Sequence, residues 1–257
     1  MIAARCGARH CPVRSREPLQ AANAPVTIQR MKLRTSRARA AGGLGLLALL
    51  CLCASLASAR HHGNSDTEGG VSGQFDYYLL TLSWAPSYCL VHPADRAECG
   101  ARGYGFVLHG LWPQFDGGGY PEACASDALL DDAAAAIGRT LYPSVRLMQH
   151  EWDTHGTCSG LSAADYFRTA DRALAVVKVP PQFEAPQASQ SLSADQISAA
   201  FLAANAGLAP EDLALACSRS ALSEVRICLT RDLKLRSCGR RIHSSCGEEA
   251  VQVPSSR

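Results

Sequence analysis

The distribution of cysteines is the feature that most restricts how this chain can fold. Twelve cysteines occur among 257 residues, and four of them lie before residue 60. An even number in the remainder, if that part is exported, is typical of a disulfide framework. No CxxC or short Cys–His pair recurs, which argues against a zinc site. The spacings alone do not fix the pairing of these eight cysteines: Cys89, Cys99, Cys124, Cys158, Cys217, Cys228, Cys238 and Cys246.

The segment 31–59 carries the pattern of an export signal. A basic stretch that begins at Met31 is followed by an apolar run, Leu44 to Leu56, and then by small residues. This is the order found in secretory signal peptides, and the apolar run is too short for a comfortable membrane span. We therefore predict cleavage before Arg60 and no membrane attachment afterwards. Residues 1–30 show no hydrophobic period, and we interpret them as an upstream extension that is not native.

Charge is divided unevenly along the chain. Residues 1–59 hold nine Lys/Arg and one acid, which leaves 16 of the 25 basic and 22 of the 23 acidic residues in 60–257, a net charge of −6. Because residues 60–257 are mildly acidic, they do not present a broad positive potential that would bind a long nucleic acid. Any contact with a nucleic acid must therefore depend on a local group of basic residues. The densest positive run there is Lys234 to Arg241, which we interpret as a solvated surface hairpin in preference to a phosphate-binding flank. The Ala- and Arg-rich composition and the form of the signal suggest a Gram-negative bacterium and its periplasm, or secretion.

Hydrophobic patterning predicts a mixture of strands and helices. Predicted strands cover 75–84, 105–109, 213–217 and 224–230, and predicted helices cover 127–141, 146–157, 163–177 and 193–206. The stretch 85–104, with two prolines and two cysteines, predicts a stapled loop, and the polar 60–73 predicts a disordered N-terminus. Because the elements show no regular βαβ alternation, we predict an α+β domain over 74–257.

Titratable side chains are concentrated in HEWDTHGTC, from His150 to Cys158. On a helix, Glu151 and His155 stand four residues apart and share one face. His150 and His155 are five residues apart, about 140° around the helix, so the zinc-protease motif HExxH does not apply. A lone histidine on a helix is more often structural than catalytic. Two imidazoles and a carboxylate within six residues nevertheless exceed what packing requires.

A second histidine-bearing motif, HGLWP from His109 to Pro113, lies about forty residues upstream. It follows the apolar run Gly105 to Leu108, so we expect His109 at the end of a strand. Two imidazoles brought together from separate elements can supply one general base and one general acid. HGLWP alone could be a structural turn, but both motifs together point to acid–base chemistry.

The two motifs resemble the signatures of the ribonuclease T2 family, which have the form HGLWP and HEWxKHGTC. A third segment, LSWAPSYC at Leu82 to Cys89, resembles an early strand of that family, and the similarity runs from about Phe75 to Cys246. It implies an α+β fold with a central, mostly antiparallel sheet packed with several helices and stapled by disulfides. It also implies endonucleolytic cleavage of single-stranded RNA without metal or cofactor, through a 2′,3′-cyclic phosphate and with little base specificity. A monomer is the default expectation.

Carried over residue by residue, the resemblance assigns a role to most of the two motifs. It implies that His155 is the base that takes the ribose 2′-OH proton and that His109 is the acid that protonates the leaving 5′-oxygen. His150 would bind the phosphate, and Glu151 would help to hold the charged transition state and orient the histidines. Trp112 would stack on a base or border it, a role that suits aromatic side chains in single-strand binding.

The same resemblance implies a pairing for the cysteines. The pair that bears on function is Cys124–Cys158, which would tie the loop after HGLWP to the end of the catalytic helix and so hold the two motifs in register. The remaining implied pairs are Cys89–Cys99, Cys217–Cys246 and Cys228–Cys238.

One position departs from the family pattern. The family usually has a lysine directly before the second-motif histidine, where it stabilises the pentacoordinate phosphorane, and this chain has Thr154. Losing a cation beside developing phosphate charge costs roughly 2–4 kcal/mol if nothing replaces it, by analogy with removing one oxyanion donor, although threonine can still donate a hydrogen bond. We expect an active but slower enzyme. The alternatives are a catalytically weakened RNA- or partner-binding protein of the same fold, and a disulfide-rich structural or inhibitor protein that would leave the histidines unexplained.

Overall fold

The structure, a computed structural model, describes residues 70–100, 103–125 and 129–256. The predicted extension at 1–30, the predicted signal at 31–59 and most of the predicted N-terminal tail at 60–73 therefore lie outside the described residues. Within the described part of the chain, no helix combines the length and the apolar character that a membrane crossing requires.

The described residues form one mixed sheet. Its strands are β1 (Tyr77–Trp84), β2 (Phe106–Gln114), β3 (Gln190–Leu192), β4 (Leu213–Ser218), β5 (Ala221–Thr230) and β6 (Val251–Val253). The strand order is β2-β1-β5-β6-β3, and β4 also pairs with β5. The pairs β1–β2, β1–β5, β4–β5 and β3–β6 are antiparallel, and β5–β6 is parallel. The predicted mostly antiparallel sheet is confirmed.

Six α-helices accompany this sheet in the described ranges. They are α1 (Ala85–Val91), α2 (Arg96–Cys99), α3 (Asp132–Leu141), α4 (Val145–Thr154), α5 (Ala163–Leu174) and α6 (Ala194–Ala204). The longer ones begin at polar caps whose side chains accept backbone N–H groups of the first turn, as helix N-termini require: Asp131, Ser144, Ser162 and Ser193. With the sheet, these helices confirm the α+β class.

The prediction of a stapled loop at 85–104 is wrong in one respect, because α1 and α2 lie within it. Pro86 occupies the first turn of α1, where its missing N–H would have no partner in any case. Asp95 caps α2 by accepting hydrogen bonds from two backbone N–H groups. The staple itself is present, since Cys89 and Cys99 form a disulfide across the two helices.

Other element boundaries also differ from the expectation. Strand β2 continues to Gln114, so His109 lies inside a strand and not at its end. Helix α3 begins at Asp132, after its cap, and not at Asp127, which is outside the described residues. Helix α4 ends at Thr154, before a 3₁₀ turn over Gly156–Ser159.

The two faces of the sheet carry different side chains and pack against different partners. One face packs against α3–α6 in the main core, to which β1 contributes alternate residues, Tyr78, Leu80, Leu82 and Trp84. Tyr77 and Leu79 lie on the opposite face in a small cluster with Cys228 and Cys238. Side chains of directly paired residues share a face, so Glu224 and Arg226, opposite Ser83 and Thr81, belong to this second face. The second face carries the candidate site.

Candidate active site

A β-bulge in β2 determines where the side chains of HGLWP point. Residues of β1 pair with Leu108 and with Gly110, which leaves His109 as the extra residue. A bulge interrupts the strict alternation of faces. Leu108 and Leu111, although three residues apart, therefore both enter the main core. His109 and Trp112, also three apart, both project on the other side, where their rings are in edge-to-face contact.

Helix α4 delivers the second motif to the same place. Its residues Met148 and Trp152 are buried in the main core, which fixes the rotation of the helix. Glu151 and His155 then face β2, and the His155 N–H donates to the Glu151 carbonyl as the helix ends. A Cβ at Gly156 would overlap Trp152, so only glycine fits directly behind His155.

Trp112 is the centre of the assembled site. Its indole Nε1 donates a 2.7 Å hydrogen bond to Oε2 of Glu151. The rings of His109 and His155 each lie 5.0 Å from the Trp112 ring, centroid to centroid. The predicted acid, base and carboxylate are thus brought together around one aromatic side chain that contacts all three.

Glu151 is a fully buried carboxyl group with one free oxygen. No described residue makes a hydrogen bond to its Oε1, which lies 3.8 Å from Nε2 of His109. Burial raises the pKa of Glu151 to about 7, against the opposing effects of His109 and the Trp112 hydrogen bond. Near neutral pH, part of the population therefore carries a proton that Oε1 could donate to an anionic oxygen beside it.

The two imidazoles have opposite protonation preferences. Burial, together with the nearby His150 and His109, lowers the pKa of His155 to about 3, so this ring is neutral at neutral pH. Burial also disfavours the charged form of His109, but its hydrogen bond to Glu224 and the nearby carboxylates outweigh that effect and raise its pKa above the ordinary 6.5. At neutral pH the ring of His155 is therefore free to accept a proton, and the raised pKa of His109 favours the form that can donate one.

The remaining predicted residues lie at the rim. His150 is exposed, with its ring 6.5 Å from that of His155. Thr154 Oγ1 lies 3.3 Å from Nδ1 of His150, within hydrogen-bonding distance. A substrate phosphate between the histidines would therefore meet an imidazole and a hydroxyl at this rim, and no cation from position 154.

Two cavities flank the histidines. One, of about 560 Å³, is bordered by Trp112, Tyr120, His155, Arg226 and Arg241, among others. The other, of about 360 Å³, is bordered by His109 and His150 and by residues of α1, α2 and α4. Trp112 thus borders a cavity as expected for a base-binding residue.

Several residues at this site were missed by the sequence reasoning. Glu224 binds His109 directly, and Arg226 and Tyr120 border the larger cavity. The sequence carried a signal for the two charged residues, because they alternate with apolar residues in the predicted strand 224–230. This alternation indicates that one face of the strand lies outside the hydrophobic core. Arg241 belongs to the basic run interpreted as a solvated hairpin, and the structure places it at the cavity wall beside Gly118, in the loop that follows β2. The less favoured interpretation of that run, a phosphate-binding flank, is not tested by this position.

The disulfides connect these elements. Cys124–Cys158 joins the segment after β2 to the 3₁₀ turn after α4, and Cys124 N–H also donates to Thr157 Oγ1 at 3.2 Å. The two histidine motifs are thereby linked covalently as well as by packing. Cys217–Cys246 and Cys228–Cys238 close the C-terminal part, so the four pairs are those that the family resemblance implies.

The described residues offer no cluster of three or more His, Cys, Asp or Glu side chains arranged to hold a metal ion.

The structure is that of a disulfide-linked α+β domain in which two imidazoles surround a buried carboxyl group. Proteins of this class are suited to acid–base catalysis. The comparisons identify the family. Residues 75–238 match the family model described as "Ribonuclease T2 family". The match covers more than half of the chain, so this protein belongs to the ribonuclease T2 family.

Two curated relatives and a solved structure illustrate the similarity. A "Ribonuclease" of Aeromonas hydrophila is 52% identical over 101 residues, which are 39% of this chain and 46% of the relative. A "Probable ribonuclease" of Haemophilus influenzae is 29% identical over 178 residues, 63% of this chain and 61% of the relative. The chain thus spans about half of these relatives' length. The "RNase-related protein from Calystegia sepium" matches 71% of this chain and 98% of its own at a TM-score of 0.57 and 22% identity, which supports the fold.

Proposed function

We propose that this protein is an endoribonuclease that cleaves single-stranded RNA by transphosphorylation through a 2′,3′-cyclic phosphate. The observation that carries the proposal is the pair of imidazoles with opposite protonation preferences around the buried Glu151. A module that only binds RNA has no use for such a pair. The names of the relatives, which are ribonucleases, support the same class of substrate.

The proposed reaction follows from the protonation states. Neutral His155 takes the proton of the ribose 2′-OH, and the 2′-oxygen attacks phosphorus. As the bond from phosphorus to the 5′-oxygen breaks, protonated His109 delivers a proton to that oxygen. The products are a 2′,3′-cyclic phosphate and a free 5′-OH. The uncharged form of Glu151 and the exposed His150 would donate hydrogen bonds to the phosphoryl oxygens as charge develops.

We also propose that base preference is slight. The larger cavity is bordered by Trp112 and Tyr120, whose rings can stack on any base, and by arginines that can stack likewise. Stacking does not read the hydrogen-bonding edges that distinguish one base from another.

We propose that the protein acts outside the cytoplasm, in the periplasm or secreted, as a monomer. The pattern of segment 31–59 supports export. Four disulfides also suit an oxidising compartment.

The experiment that tests the function is cleavage of a short single-stranded RNA by the protein, purified with its disulfides oxidised, in the presence of EDTA. We expect fragments that end in a 2′,3′-cyclic phosphate, identified by mass spectrometry, because the proposed mechanism requires no metal. Binding of the RNA without cleavage would refute the proposal and favour the RNA-binding alternative. Cleavage that EDTA abolishes would refute the two-imidazole mechanism.

Thr154→Lys should increase turnover of RNA by about 30-fold or more. The ammonium would stand beside His150 and meet charge that develops on the phosphorane, an interaction worth roughly 2–4 kcal/mol. The measurement is kcat for a defined RNA at saturating substrate. Thr140→Lys, the same change at an exposed position of α3, controls for general electrostatic attraction of RNA. Unchanged or lower turnover in Thr154→Lys would show that this position does not limit the rate.

A further inference from the structure

Glu224 is a carboxylate of the sheet, held between an arginine and the imidazole of His109. Its Oε1 accepts a 2.8 Å hydrogen bond from Nδ1–H of His109, and its Oε2 accepts from Nε of Arg226 at 2.8 Å. Nη2 of Arg226 also lies 2.6 Å from Oε2. Both oxygens are therefore engaged, and the side chain is only 13% exposed. Burial raises the pKa of Glu224, but the contacts with His109 and Arg226 outweigh that effect and lower it, so the charged form is favoured and the side chain is restrained.

The strand register explains why these three residues meet. Glu224 and Arg226 alternate with Val225 and Ile227, which are buried in the main core, so both charged side chains project on the site face of β5. The bulge in β2 turns His109 onto that same face across β1. The contact joins residues 115 positions apart in the chain.

The hydrogen bond at Nδ1 has a direct consequence for the other ring nitrogen. An imidazole whose Nδ1–H is donated to a carboxylate has Nε2 as the nitrogen that gains and loses protons. In His109, Nε2 is the nitrogen on the Glu151 side, where the leaving oxygen of the proposed substrate would lie. The Glu224 contact thus fixes both the tautomer of the neutral ring and its orientation.

We propose that Glu224 is the positioning residue of the general acid: it holds His109 with Nε2 facing the leaving 5′-oxygen and keeps that ring cationic until the proton is delivered. The proposal rests on the proposed ribonuclease function. In the step, the proton leaves Nε2 for the 5′-oxygen as the bond from phosphorus to that oxygen breaks. Nδ1–H stays bonded to Glu224, and the neutral imidazole is ready to take a proton in return.

Other charged groups face His109, but their contacts differ. Glu151 of α4 lies 3.8 Å from Nε2, on the reacting side. Glu98 of α2, Asp95, Arg146 and His150 border the adjoining cavity, and none of them makes a described hydrogen bond to the ring of His109. His155 lies across Trp112. Glu224 is therefore the carboxylate whose removal acts on Nδ1.

The test compares Glu224→Ala and Glu224→Gln on two substrates. One is RNA, whose 5′-oxygen must be protonated to leave, and the other is uridine 3′-(p-nitrophenyl phosphate), whose nitrophenolate leaves without a proton. For Glu224→Ala we expect kcat on RNA to fall about 10- to 100-fold with KM nearly unchanged, a fraction of the 10²–10⁴-fold worth of a general acid. On the activated substrate we expect a loss below about 3-fold. Glu249→Ala, an exposed glutamate, is the matched control.

The glutamine variant separates orientation from charge. Its amide oxygen can still accept from Nδ1–H, so the loss of kcat on RNA should be smaller than in Glu224→Ala. The charge that favours imidazolium is gone in both variants, so the pKa of His109 falls. Because a general acid works only while protonated, the descending limb of kcat/KM for RNA should move to lower pH. The ascending limb, set by the base His155, should stay in place.

Equal losses of kcat on the two substrates would show that Glu224 has a merely structural role and would overturn the proposal. A descending limb of the kcat/KM pH profile that does not move in the variants would also overturn it. An NMR titration of His109 in the native protein and in Glu224→Gln gives a readout that needs no turnover: we expect a lower pKa in the variant. If the native protein does not cleave RNA but this shift is seen, the proposed function fails while the contact is upheld. If the native protein cleaves RNA and neither variant differs from it, Glu224 has no such role.

Discussion

Replacement of His155 by alanine is expected to lower kcat/KM for RNA about 10²- to 10⁴-fold, the range typical of losing a general base. Burial and its neighbouring histidines lower the pKa of His155 to about 3, so this ring is neutral at neutral pH. Its removal leaves the ribose 2′-OH without an acceptor for its proton. His109→Ala should cause a loss of similar size by a different route, since the leaving oxygen then departs without a proton.

The double variant sharpens this prediction. Groups that act in one step contribute non-additively, so His109→Ala with His155→Ala should be little worse than the poorer single variant. His243→Ala, a change of the same kind at an exposed histidine that borders neither cavity, should leave kcat/KM unchanged. Initial rates on a fluorogenic single-stranded RNA suffice for the measurement. A His155→Ala variant with native activity and native circular dichroism would exclude His155 as the base.

Local sequence patterns predicted the elements that bury an apolar stripe. The aromatic and branched residues of 75–84 predicted the buried strand β1, and Ser162 caps α5 where the sequence predicts a helix to begin. These signals depend only on residues close together in the chain. The same is true of the Glu151–His155 spacing on α4, which predicted that both side chains face the same way.

The elements that were misjudged depend on tertiary context. The end of the apolar run at Leu108 suggested that a strand ends near His109, yet β2 continues through Pro113. A proline is tolerated there because β2 stands at the end of the strand order, where one side of the ladder is unpaired. The bulge at His109 likewise arises from pairing with β1, a relation that the motif itself does not encode.

The residues that support His109 could not be predicted either, because their contacts also depend on tertiary structure. Glu224 and Arg226 meet His109 only because three strands align in one register. The role assigned to Trp112 by resemblance was also incomplete. Besides bordering the larger cavity, its indole N–H holds Glu151, so a residue expected to touch the substrate also orders the catalytic carboxyl group.

Gly110→Ala is expected to abolish most activity, at least about 100-fold in kcat/KM, although it changes no titratable group. A Cβ at position 110 would overlap Oε2 of Glu151 and Nε1 of Trp112, the two atoms joined by the central hydrogen bond. The overlap is relieved only if the side chain of Glu151 or of Trp112 moves away. Either movement disturbs the pair of side chains against which the rings of His109 and His155 pack. A misplacement of about 1 Å at a catalytic group can cost 10²-fold.

The control for Gly110→Ala is Gly247→Ala, where an added Cβ meets no atom of the described residues within 4 Å and the backbone does not require glycine. Steady-state kinetics and thermal unfolding would be measured for both variants. Gly247→Ala should retain native values of each. Gly110→Ala should lose activity while it remains folded at the assay temperature, because the main core lies on the other side of the sheet and the four disulfides are untouched. Native kcat/KM in a folded Gly110→Ala variant would mean that activity does not require the hydrogen bond between Glu151 and Trp112. Trp112 would then not be the residue that holds the acid, the base and the carboxyl group in place.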